Sequence, residues 1–424
     1  MVESQQTRSE WYYWWVAASG FIILLIEGGV RPMLVIHFNS FQEDLKWSKS
    51  AFSTIIAVIN AASLLSGPLA AVLYQLLGAR LSISAGALVT GTGFVLVSLS
   101  SSVFLIIGIS AVIGVGCGVI RTAIVSVQCE YFMKNRDFIM ALVFIGPGIG
   151  QFLFAHILNH LNNLLSWRSS WRVIAIIFIC CLLLALPIKR KMKKAEGNQI
   201  AQFLGVKVLR IPEFLIQLTA VFFAASLCMS YYIFEVPLMV ESGIDRDTAA
   251  SVFSSQGIAS IAGRVLTTLL IRCGKVHIAA VMLSCYAIAQ GSMFAGIFCN
   301  RFSEASQISL FLVHNILSGF GIGMYSVSLA PFLLSISGAE QLPTAFGYTN
   351  LINGLAGFVV MFIGKLADWY GVTAAFSVAA KLGIISITAC ITAVIMIMWR
   401  QRNSRTHQPV PMEAVLEKET SENV

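Results

Sequence analysis

The sequence predicts an all-α polytopic membrane protein whose twelve transmembrane helices form two pseudo-symmetric halves of six. Three observations predict it. Of 424 residues, 57% are apolar and only 11% are charged, against roughly 25% charged in soluble globular chains. The apolar residues gather into twelve runs, and a helix needs about 20 such residues to cross a bilayer. The one long polar interruption, 189–212, holds Lys189, Arg190, Lys191, Lys193, Lys194, Lys207 and Arg210, and it divides the runs six and six. The expected layout is a tail at 1–10, a first half at 11–188, a basic linker at 189–212, a second half at 213–399 and a tail at 400–424. Twelve spans consume roughly 240–300 residues, which leaves loops and tails but no room for a soluble catalytic domain. The function is therefore expected inside the membrane part.

The spans follow in order. Span 1 (11–36) opens on Trp11, Tyr12, Tyr13, Trp14 and Trp15, the aromatic belt of a membrane interface, and carries Glu27 and Arg31 around Gly28-Gly29. Span 2 (50–77) contains Gly67-Pro68, an interruption that membrane helices tolerate where neighbours re-satisfy the backbone. Span 3 (81–100) follows Arg80. Span 4 (103–128) holds Gly114, Gly116 and Gly118, small residues that let helix backbones approach, and then Arg121. Span 5 (137–160) follows Lys134 and Arg136 and repeats the pattern with Gly146, Gly148 and Gly150 around Pro147. Span 6 (171–188) runs into the basic linker. Span 7 (213–240) is rich in aromatics, including Phe222, Phe223, Tyr231, Tyr232 and Phe234, and carries Glu235. Span 8 (247–272) sets Ser254, Ser255, Gln256 and Ser260 ahead of Gly263-Arg264. Arg272 and Lys275 separate it from span 9 (276–299). Spans 10 (306–334) and 11 (342–366) lead to Asp368 and to span 12 (371–399), which holds Lys381 and ends at Arg400.

An even number of spans puts both termini on one side, and Lys/Arg bias in short loops sets which side. Arg80, Lys134, Arg136, the 189–210 cluster, Arg272, Lys275 and Arg400 all fall on the side of the termini, so both ends are expected in the cytoplasm. The formal charge of +8 is thereby read as topology and not as nucleic-acid binding. Met1 to Glu10 lacks the basic start of a cleaved signal, so span 1 is expected to remain. Nine cysteines show no CxxC spacing, and His37, His156, His160 and His314 form no zinc pattern. No Gly-x-Ser-x-Gly elbow or phosphate loop occurs. The expectation is no enzyme, no metal and no cofactor.

Charge inside a span costs several kcal/mol unless it faces water or a partner, so each such residue is a site candidate. Arg264, among small polar neighbours, is the leading candidate for binding an anion, because guanidinium grips a carboxylate with two parallel hydrogen bonds and stays charged. Ser260 lies one turn away. A structural arginine is the alternative. Arg31 is expected either to attract anions or to pair with Glu27 four residues earlier. Arg121 is either a second cation of the site or the partner of Glu27. Lys381 is weighed against snorkelling outside the path.

Several motifs carry a family resemblance. Ser66-Gly67-Pro68-Leu69-Ala70-Ala71-Val72-Leu73 with Leu77-Gly78-Ala79-Arg80, Tyr131-Phe132-Met133-Lys134-Asn135-Arg136 with Gly146-Pro147-Gly148-Ile149-Gly150, Ser166-Trp167-Arg168, Gly263-Arg264, and Gly364-Lys365-Leu366-Ala367-Asp368-Trp369-Tyr370-Gly371 resemble the monocarboxylate transporters, solute carrier family 16, of the major facilitator superfamily. Glu10 to Val16 resembles that family's opening signature more loosely. The resemblance implies a secondary transporter of small organic anions in the plasma membrane, alternating access around a midplane site, a substrate carboxylate on Arg264, motif roles for Gly67, Arg80, Lys134, Arg136, Gly146, Gly150 and Asp368, and an accessory single-span glycoprotein as partner. Two departures bear on proton coupling. The family's acid four residues before the span 8 arginine is Ser260 here, and its span 1 lysine after proline is replaced by Arg31-Pro32. Glu27 or Glu235 then becomes the candidate proton carrier, failing which transport is uncoupled. An uncoupled carrier of amino acids or aromatic carboxylates, an oxalate/formate-type exchanger and a non-transporting membrane sensor stand as alternatives.

Overall fold

The computed structural model describes residues 2–29, 44–45, 49–132, 135–151, 153–154, 157, 165–188, 207–298 and 304–406. Among these residues all regular structure is helical, and the helices map onto the predicted spans. Span 1 is Val2–Gly28, nine residues earlier than expected, because the polar stretch before Trp11 contains no Gly or Pro to stop a helix. Span 2 is two helices, Lys49–Leu65 and Gly67–Leu77, the apolar parts of which meet at 52°. Gly67-Pro68 places the break, since proline is favoured in a helix's first turn and disruptive inside one. Spans 3 and 4 are Ala79–Leu99 and Val103–Tyr131. Span 5 starts as Arg136–Val143 and resumes at Gly146 after a turn; span 6 is Trp167–Ala185.

In the second half, spans 7, 8 and 9 are Pro212–Glu241, Arg246–Cys273 and Ile278–Gly296. Spans 10 and 11 lie within one segment, Glu304–Tyr370, divided at Gly338. There φ is +72°, a conformation that glycine adopts without the Cβ clash of other residues, and Pro343 stands just beyond. Span 12 is Val372–Thr406. Seven of the described helices are long and apolar enough to cross a membrane, eight with the bent pair. Span 8 is long enough but too polar to be among them, which suits a helix with one face on an internal aqueous cavity.

Each half has its own core. In the first, Phe94 packs edge to face on Trp171 with the rings 5.6 Å apart and meets Phe178 at a tilt, 5.7 Å away. Span 6 is tied down at its start by Arg168, which donates to the Ser98 and Ser100 carbonyls at 3.0 and 3.1 Å and to Asp44 at 3.2 Å. Trp167 donates to the same Asp44 carboxylate at 3.0 Å. The Trp-Arg motif is thus a staple between loops. In the second half, Phe214, Phe332 and Phe346 fill one cluster, and Tyr231, Phe311 and Phe376 another.

The halves meet on the side of the termini. Gly67 of span 2 and Gly347 of span 11 abut backbone to backbone, Gln75 donates to Thr344 at 3.1 Å, and the Phe144 and Phe346 rings lie 6.1 Å apart. Arg272 sits over the Phe138 ring at 5.2 Å, and Ala141 and Ile145 pack on Val327. Each of these residues lies in the half of its span nearest the termini.

Candidate functional site

Directly beyond that seam, between the halves, lies a cavity of about 380 Å³. The second half builds most of it; the first contributes Leu64, Gly148 and Gln151. Span 8 presents Gln256, Ser260 and Arg264, spaced four residues apart and so stacked on one helix face. Arg264 is the single formally charged side chain among the described residues that line the cavity. In a low-dielectric setting such a cation attracts an anion more strongly than it would in water.

Gly148 makes room for the guanidinium. A Cβ there would collide with Arg264 Nη1, so the absent side chain lets span 5 of one half close over the cation of the other. The remaining polar wall is uncharged and includes Gln290, Ser326 and Asn353, with Tyr232, Tyr286 and Tyr325 supplying aromatic surface. Tyr286 and Tyr325 pack edge to face at 5.7 Å, and Gln217 donates to the Tyr286 hydroxyl at 3.2 Å. Carboxylate recognition beside a rigid aromatic wall is the chemistry this arrangement offers.

The structure brings Arg264 and Ser260 together and separates them from the other candidates whose side chains it describes. Arg121 of span 4 forms an ion pair with Glu27 of span 1, and neither lines the cavity. Glu235 is fully buried against His314 and Asn315 inside the second half. Lys381 is exposed on span 12, and Arg80 is exposed at the start of span 3. Gly146 and Gly150 lie against the span 1 backbone at Phe21 and Leu25, which makes them packing glycines. Arg31 and Lys134 lie outside the described residues, as do the side chains of Arg136 and Asp368.

Two residues gain meaning that the sequence did not signal. Gly148 reads in sequence as one packing glycine of three, and His314 as an isolated histidine. Their partners, Arg264 and Glu235, are more than 70 positions away and on other spans, so no local pattern could have joined them.

The Major Facilitator Superfamily profile matches residues 16–361. Monocarboxylate transporter 12-B of Danio rerio is 23% identical, with 91% of this chain and 87% of the relative covered. Human monocarboxylate transporter 7 is also 23% identical, covering 88% and 84%. Among solved structures, the Major Facilitator Superfamily transporter FucP in the outward conformation superposes with a TM-score of 0.71 at 14% identity, covering 90% of this chain and 99% of that one. The human organic anion transporter MFSD10 (TETRAN) does so with a TM-score of 0.68 at 13% identity, covering 89% and 99%. A profile that spans most of the chain, relatives that agree with the sequence resemblance, and a fold of two six-helix halves around a central cavity place this chain in the Major Facilitator Superfamily.

Proposed function

We propose that the protein is a secondary carrier of small organic anions, chiefly monocarboxylates, which the two halves move by alternating access around Arg264. The observation that carries this reading is that Arg264 is the one formally charged side chain among the described residues of the cavity wall. One guanidinium satisfies one carboxylate, and a cavity of about 380 Å³ falls within the range of small-molecule sites. A dianion such as oxalate would leave its second charge facing amides and hydroxyls, which disfavours the exchanger alternative. Arg121 is offset by Glu27, so its charge supports the fold of the first half and not the substrate.

A second reading draws on a specific feature. Tyr232, Tyr286 and Tyr325 line the cavity beside amide groups, a wall suited to an aromatic carboxylate or amino acid carried without proton coupling, since Ser260 stands where coupled relatives of the resembled family have an acid. Competition between aromatic and short-chain acids for uptake distinguishes the two. A non-transporting sensor would show no saturable flux.

We place the protein in the plasma membrane with both termini in the cytoplasm, on the strength of the Lys/Arg bias and the family resemblance, and an accessory single-span glycoprotein is a partner to test by co-purification. The direct test of function is uptake into liposomes with Arg264→Ala alongside. Saturable carboxylate uptake that disappears in a folded Arg264→Ala protein supports the reading, and undiminished uptake refutes it.

A further inference from the structure

A buried acid and histidine stand outside the cavity, where spans 7, 9 and 10 meet. Glu235 is 0% and His314 4% exposed, and His314 Nε2 lies 3.1 Å from Glu235 Oε1. The other ring nitrogen, Nδ1, lies 2.7 Å from the Ser292 carbonyl oxygen. A carbonyl only accepts, so Nδ1 must carry a hydrogen. That settles the ring's first proton. Nε2 completes no hydrogen bond, so its approach to Oε1 is an ionic contact, and a carboxylate buried this deeply requires a second proton on the pair. It sits either on the ring, giving imidazolium and carboxylate, or on the acid, leaving two neutral groups. Without it, an uncompensated carboxylate is left inside the second half, at a cost of several kcal/mol.

Among the described residues the surroundings offer no other counter-charge. Asn315 Nδ2 donates to Glu235 Oε1 at 3.3 Å, while Glu235 Oε2 is buried with no hydrogen-bond partner. Among the described residues Tyr231 is the other titratable group that reaches the pair: its hydroxyl donates to Asn315 Oδ1 at 2.5 Å and accepts from Ser318 at 3.0 Å. From span 9, Ser292 and Gly296 face the His314 ring. Phe253 of span 8 lies against the Tyr231 ring, and Phe376 and Ala379 of span 12 belong to the same apolar cluster. None of these neighbours carries a formal charge. Glu27, the other candidate acid, differs because a permanently charged guanidinium already neutralises it.

We propose that the Glu235–His314 pair is a proton-binding site that holds a single proton in the conformation described here and releases it in the opposite one. Its connection to the cavity is mechanical. Spans 8 and 10 interlock: Gly263 rests on the Phe320 backbone, Gly319 on Gln256 and Gly323 on Ser260. Span 10, with His314, therefore moves together with span 8, which bears Arg264. The pair sits where this unit meets span 7, whose Cys228, Met229 and Tyr232 line the cavity. Losing the proton leaves a bare charge at that contact, strains it and so alters the cavity wall that span 7 builds. Linkage makes the effect reciprocal: substrate on Arg264 and proton on the pair favour one another. The coupling to transport rests on the anion-carrier reading above, whereas proton binding itself does not.

The experiment has two arms. Detergent-purified protein without substrate, stepped from acidic to alkaline medium with an indicator dye, is expected to release one proton per chain more than Glu235→Gln; equal release overturns the site. In liposomes, a panel of radiolabelled short-chain and aromatic monocarboxylates is followed as gradient-driven accumulation and as counterflow. Glu235→Gln is expected to reduce accumulation driven by an inward proton gradient by about tenfold or more while counterflow, which needs no net proton movement, persists. Accumulation by the variant equal to wild type overturns the coupling role, as does a wild type indifferent to the gradient. Absence of counterflow in wild type refutes the carrier reading instead and leaves the proton count standing as its own test. Should Glu235→Gln fail to fold, nitrogen-15 spectra of histidine-labelled wild type, with His314→Gln to assign the signal, decide the matter. Nδ1 is expected to stay protonated across the titration, and a His314 ring protonated on Nε2 alone overturns the proposal.

Discussion

Arg264 and Gly148 form a unit in which one side chain is the proposed anion ligand and the other's absence makes room for it. Gly148→Ala would push a methyl into the guanidinium, and overpacking of this kind costs about 1–3 kcal/mol. The expected outcome is a folded protein whose half-saturating carboxylate concentration rises roughly tenfold, measured as concentration-dependent uptake. Arg264→Lys keeps the charge but loses the planar fork, so residual uptake between that of wild type and Arg264→Ala is expected. The Glu27–Arg121 pair predicts a different signature. Arg121→Ala strands a carboxylate that is 7% exposed, a change that costs about 3–5 kcal/mol when a buried partner is removed. Thermal unfolding in detergent should fall clearly for Arg121→Ala and recover in the Glu27→Gln/Arg121→Gln double variant. Arg264 is legible in sequence, because an arginine amid serines and a glutamine in an apolar run needs water or a counter-charge to face. The partner of Glu27 is only half legible: Arg31 satisfies the four-residue rule of a helix, while Arg121 is visible only once spans 1 and 4 are packed side by side.

Spans 2, 5, 8, 10 and 11 form the seam between the halves, and its tightest point is glycine on glycine. Gly67 and Gly347 bring two backbones together at the bend of span 2, on the terminal side of the cavity. Gly67→Val prevents that approach, so the halves cannot close there. Uptake and counterflow should then both drop severalfold, since each needs the closed seam, while carboxylate still protects the purified protein against heat because Arg264 is untouched. Loss of that protection would show that the substitution reaches the site itself. The bend is legible from Gly67-Pro68. The division of Glu304–Tyr370 at Gly338 is legible only as a gap between apolar runs, because nothing in composition separates a tight turn from a short loop. Span 8 illustrates a useful reversal: its polarity weakens the signal for a span and strengthens the case for a helix that lines water.

For the whole molecule, hydropathy and charge bias carry the layout, since lipid forces every backbone group into helices and so reduces the problem to counting spans. Tags on either terminus should be reached by antibody only after the plasma membrane is permeabilised, and staining of intact cells would invert the topology. The cavity is less legible than the spans, as it depends on which faces of spans 5, 7, 8, 9, 10 and 11 turn inward, and apolar runs without a polar stripe do not reveal that. Gln290, Tyr325 and Asn353 enter the site only through packing. One measurement bears most directly on the account: uptake of radiolabelled monocarboxylates into liposomes by wild type and by Arg264→Ala, with folding of both verified by thermal unfolding. The account predicts saturable uptake by wild type and background uptake by the variant. Equal uptake by the two proteins would contradict it.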